Sequence, residues 1–97
     1  MISVHREYCL SGEKNLHAHV EVYPTGTLDI DIIELHEHHT TKFNNIKYEH
    51  NGVDIALSGK EGAVTWQVVL RERDARELSH LIADANEEFE ILMRDLG

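Results

Sequence analysis

Apolar residues recur at every second position through most of this chain and then switch to a spacing of three and four near its end. Ile2, Val4, Tyr8 and Leu10 alternate with His5, Glu7 and Cys9, and Leu16, Ala18, Val20 and Val22 alternate with His17, His19, Glu21 and Tyr23. Alternation of this kind predicts half-buried strands over 2–10 and 16–23. Arg6 interrupts the apolar side of the first, as suits an edge strand. Turn residues separate the two at 11–15, and Pro24-Thr25-Gly26-Thr27 closes the second.

A third strand begins at Leu28, with Leu28, Ile30 and Ile32 set against Asp29 and Asp31. Its apolar phase slips by one residue at Ile32-Ile33, which predicts a β-bulge. Asn51-Gly52 lies between two alternating runs and predicts a hairpin with a two-residue loop. That loop pairs His50 with Val53, Tyr48 with Ile55 and Ile46 with Leu57. Ser58 to Gly62 is expected to turn, and 63–70 to form the last strand, with Val64, Trp66, Val68 and Leu70 on one side.

Asp74 with Glu77 three residues on resembles a capping box. From there Leu78, Leu81, Ile82, Ala85, Phe89, Leu92, Met93 and Leu96 form one continuous helical stripe. The predicted fold is therefore α+β: an antiparallel meander sheet of five to six strands, with one long C-terminal helix packed on one face. Residues 1–97 are expected to form a single domain. A helix of this length spans ~33 Å, more than a sheet of six- to eight-residue strands. The surplus stripe at Phe89, Leu92, Met93 and Leu96 is the expected interface of a homodimer.

Composition narrows the function classes. Eighteen acidic residues against nine basic give a net charge of −9, a field that repels phosphate, so direct nucleic-acid binding is not expected. Arg71, Arg73 and Arg76 interleave with Glu72, Asp74 and Glu77 and read as surface ion pairs. No apolar run reaches the length of a membrane span, and the charged N-terminus leads into no signal-peptide core. The single cysteine, Cys9, builds no disulfide framework within one copy. Cytoplasmic residence is the expectation.

No phosphate-cradling loop, nucleophile elbow or paired-carboxylate motif is present, and His5 and Cys9 lie ~13 Å apart along an extended strand, so catalysis without a metal is not expected. The leading expectation is a small acidic module that binds and modulates or inhibits a basic protein partner, including one that itself binds nucleic acid. Its contact residues are Asp84, Glu87, Glu88, Glu90 and Asp95 on the outer side of the helix.

The alternative rests on histidine. Five of the eight histidines fall in two clusters, His17 and His19, then His36, His38 and His39. With a bulge at Ile32-Ile33, His17 faces His36 and His19 faces Glu34. His17, His19, Glu34 and His36 then form a ligand set for a divalent ion such as zinc, nickel, iron or manganese, as a structural site or that of a metal-dependent enzyme. The His-x-His pair with a nearby glutamate resembles the metal site of cupins in ligand type only, because the glycines and spacing of that motif are missing. As a class, the exposed imidazoles gain protons between pH 7 and about 5.5, so the negative charge and the solubility are expected to fall on acidification.

Overall fold

The computed structural model describes the backbone of residues 2–12 and 14–96, and side chains within these as far as residue 87. Seven strands precede one helix: β1 (Val4–Cys9), β2 (His17–Tyr23), β3 (Thr27–Ile32), β4 (Glu37–Lys42), β5 (Ile46–Asn51), β6 (Asp54–Glu61), β7 (Val64–Arg71) and α1 (Glu72–Leu96). They form two antiparallel sheets, ordered β1-β2-β3-β4 and β5-β6-β7. The α+β class, the antiparallel sequential pairing and the C-terminal helix agree with the pattern reading. The single sheet of five to six strands does not.

The extra strand explains the difference. The phase slip at Ile32-Ile33 is no bulge, because β3 ends at Ile32 and Ile33–Leu35 forms one 3-10 turn. Ile33 and Leu35 are 44% and 47% exposed, so they leave the sheet rather than continue it. His36 follows with φ 54° and ψ 35°, the left-handed conformation, and starts the chain back along β3 as β4. Thr40 and Thr41 lie inside this strand. A second 3-10 turn, Phe43–Asn45, carries the chain into the other sheet.

Both predicted registers shift, by three residues for the His17–His36 and His19–Glu34 pairs and by two in the second hairpin. Ala18 pairs with Ile32 and Val20 with Ile30, so neither His17–His36 nor His19–Glu34 is a cross-strand pair. In the second hairpin Asn51 pairs with Asp54, His50 with Ile55 and Tyr48 with Leu57. Gly52 and Val53 are thus the two central residues, and only Gly52 has a positive φ, 69°, as a type II′ turn requires at its first central position. The residues 58–61, expected to turn, extend β6, and the chain reverses at Gly62 and Ala63.

Alternate residues of both sheets meet the helix in one core. Ala18, Val20, Val22, Leu28, Ile30 and Ile32 come from the first sheet, Ile55, Leu57, Trp66, Val68 and Leu70 from the second, and Ala75, Leu78 and Ala85 from α1. The helix begins two residues before Asp74, and Glu77 does not cap it. Instead Glu77 accepts a 2.8 Å hydrogen bond from the Tyr8 hydroxyl and lies 3.4 Å from Arg6, fastening β1 to α1. Burial and this carboxylate push the Tyr8 phenol up. Of the expected arginine pairs, Arg76 contacts Glu72 at 2.7 Å.

Trp66 joins the sheets. Its indole Nε1 donates to the Thr41 hydroxyl at 2.6 Å, and His39 stacks on it with ring centroids 5.8 Å apart. The ring lies across Gly59, its cross-strand partner, where a Cβ would come within 2.4 Å of the indole. Glycine at 59 is what allows the close approach. No helix among the described residues is long and apolar enough to cross a membrane.

Candidate functional site

The strand alternation that buries one side of the first sheet sends a continuous polar set to the other. Cross-strand pairing arranges it in rows: Glu7, His19, Asp31 and His38 in one, and His5, Glu21, Asp29 and Thr40 in the next. Cys9 and His17 form a third row. These residues are exposed or half-buried, in contrast to the opposite side of the same strands.

Imidazoles and carboxylates pair throughout this open face. The His5 Nε2 atom lies 3.3 Å from Glu21, and the His5 ring stacks on His19 at 5.4 Å. Asp29 accepts hydrogen bonds from Thr40 at 2.7 Å and from Tyr23 at 3.2 Å. His38 bonds to Asp31 through Nδ1 and lies 3.8 Å from Asp29 through Nε2. The hydrogen bond that His38 donates to Asp31 raises the His38 pKa above the ordinary imidazole value. Hydrogen bonds from Ser3 and Tyr23, with His5 and His19 nearby, lower that of Glu21. The Tyr23 phenol, set beside Glu21 and Asp29, is pushed up to about 12, with the Glu21 hydrogen bond the largest cause.

The predicted quartet of His17, His19, Glu34 and His36 is divided. Glu34, on the 3-10 turn, folds back onto His17, accepting from its backbone N–H at 2.6 Å and meeting Nδ1 at 2.5 Å. Those two bonds hold the Glu34 carboxyl below the usual range. His19 and His36 instead line a shallow concavity of about 580 Å³, shared with Glu7, Asp31, Ile33 and Glu37. Among the described residues no group of three or more His, Cys, Asp or Glu side chains is gathered closely enough to hold a metal ion.

Of the helix carboxylates, Asp84 and Glu87 are exposed. The side chains of Glu88, Glu90 and Asp95, and of the stripe Phe89, Leu92, Met93 and Leu96, lie outside the described residues. The pattern reading missed the His38–Asp31–Asp29–Thr40 cluster because it missed β4, whose inward residues Glu37, His39 and Thr41 are polar. The signal available was the β-branched pair Thr40-Thr41 directly after His38-His39, which fits a strand once a tryptophan is there to cover it. Comparison with known proteins finds no matching family model, no similar curated protein and no similar solved structure.

Proposed function

We propose that this protein is a small acidic binding module that docks a basic segment of a partner protein on the open face of β1–β4 and thereby modulates or inhibits that partner. The observation that carries the reading is the charge of this uncovered face. Glu7, Glu21, Asp29, Asp31 and Glu34 lie on it or at its end, and among the described lysines and arginines only Lys42 of β4 shares the side-chain direction of this face. A surface of one sign steers and selects a partner of the other. Where the partner's basic surface is itself a nucleic-acid site, the bound module competes with phosphate. Asp84 and Glu87 extend the contact only if the partner also reaches α1.

Titration of a short labelled arginine-rich peptide tests this. Binding is expected at low ionic strength and is lost near 1 M salt, where the screening length falls to ~3 Å. The double variant Glu7→Gln, Asp31→Asn is expected to weaken it roughly threefold to tenfold. Absence of binding at low salt overturns the proposal. Loss only in the double variant Asp84→Asn, Glu87→Gln moves the contact to the helix.

A further inference from the structure

Four strands border the two sheets, β1 and β4 in one and β5 and β7 in the other. Beyond the end of β1 the Ser11 amide donates to the Val69 carbonyl of β7 at 2.8 Å, so the border of β7 takes one hydrogen bond from outside its sheet. The inner face of β4 is covered by Trp66 through Thr41 and His39. β5 pairs with β6 on one side only, like the other border strands, and is set apart by its exposure, with five of its six residues exposed. Alternate backbone N–H and C=O groups along its other side point away from β6, the template for one more strand.

The residues of β5 say which strand fits. Ile46-Lys47-Tyr48-Glu49-His50 carries opposite charges on either side of Tyr48. In an antiparallel pairing of two copies about a two-fold axis at Tyr48, Lys47 faces Glu49 of the second copy and Glu49 faces its Lys47. Tyr48 then faces the second Tyr48. Moving the axis by one residue, to Lys47 or Glu49, sets like charges directly opposite each other, which is destabilising. Neither Lys47 nor Glu49 forms an ion pair among the described residues, so both are available. Tyr48, still 41% exposed, borders a groove shared with Ala75, Ser79 and His80 of α1 and has ring surface left to bury. The two charges of this segment cancel, and charges farther than a screening length of ~8 Å at physiological salt contribute little repulsion.

We propose that β5 is the interface of a symmetric dimer, in which two copies join edge to edge about Tyr48 into a six-stranded sheet with reciprocal Lys47–Glu49 pairs. An isologous contact of this kind closes on itself, because each copy's β5 edge is used up by the other. The interface is separate from the open face of β1–β4 and stands whether or not that face binds a basic partner.

Sedimentation equilibrium on the wild type and on Lys47→Glu and Glu49→Lys, each alone and mixed, tests it. The wild type is expected to dimerise reversibly. Each variant alone sets like charges opposite each other twice, and its dissociation constant is expected to rise about tenfold or more. An equimolar mixture restores opposite charges at both pairs and is expected to associate as a heterodimer near wild-type strength. Both side chains are exposed, so thermal melts of the variants should match the wild type, and amide exchange in β5 of the wild type should slow as concentration rises. A wild type monomeric up to about 1 mM, where association is worth little more than ~4 kcal/mol, overturns the proposal. So does a dimer indifferent to both substitutions, a mixture that stays monomeric, or a dimer dissolved by Leu92→Asp alone.

Discussion

The two sides of the β1–β4 sheet are made from the same strands and behave as different materials. On the inner side Leu28 and Ile30 have no exposed surface, and their neighbours are almost as deeply buried. On the outer side Glu21, Asp29 and Asp31 each have an imidazole or hydroxyl beside them, and none is removed from water. Stability therefore resides in the inner side, where area is buried at about 25 cal/mol per Å². Recognition is left to the outer side, where exposed ion pairs are worth ~0–1 kcal/mol each and can be rearranged without unfolding the chain. Thr40 and Thr41 are adjacent and mark the divide: one bonds Asp29 in solvent, the other is buried against Trp66.

The largest expected effect comes from cutting the inner side. Leu28→Ala leaves a cavity and should cost about 2–5 kcal/mol in chemical denaturation. A cost below about 1 kcal/mol would break the comparison, since it would mean that this side is not close-packed. Gly59→Ala should cost about 1–3 kcal/mol because the indole of Trp66 has to move off β6, with a changed tryptophan fluorescence as the accompanying signature.

Thr41→Val removes the acceptor of the buried indole N–H and should cost about 1–3 kcal/mol, whereas Thr40→Val, one residue along, should stay within about 0.5 kcal/mol. Equal losses at the two threonines would erase the distinction between the sides.

On the outer side the effects are on titration and binding. Asp31→Asn should lower the His38 midpoint toward the ordinary imidazole value, read by NMR titration. The sign follows from the raised folded value. The His38–Asp31 contribution to stability is full below the unfolded imidazole pKa, near 6.5, and fades as pH rises through the higher folded value. Glu21 and Glu34, whose values are lowered, act oppositely: their contributions hold above the unfolded carboxyl value of 4.5 and are lost as pH falls through the folded ones. Affinity for a basic peptide should also decline between pH 7 and 5.5, as protonated imidazoles cancel the negative face. An affinity that rises on acidification would separate the face from the binding. The smallest expected effect is at the β3–β4 corner, where His36→Gly relieves a left-handed residue and should add up to about 1 kcal/mol.

The chain's alternation determined which side of each strand is buried, because side-chain direction repeats every two residues whatever the strand pairs with. It also determined the amphipathic helix and the lone cysteine, and it brought His17 and Glu34 within consideration of each other. It did not determine register: sliding a hairpin by two residues leaves every side chain on its own face, so the hydrophobic pattern is the same for both alignments, and the loops decided, Gly52-Val53 between β5 and β6 and Pro24–Gly26, with Gly26 at φ 106°, between β2 and β3. Nor did it reveal β4. A strand whose inner residues are Glu37, His39 and Thr41 carries no apolar signal of its own, and what makes it a strand is Trp66, distant in sequence, which covers Thr41 only because Gly59 leaves room for its ring. Local periodicity reports the side a residue faces, and only the assembled fold supplies what it faces.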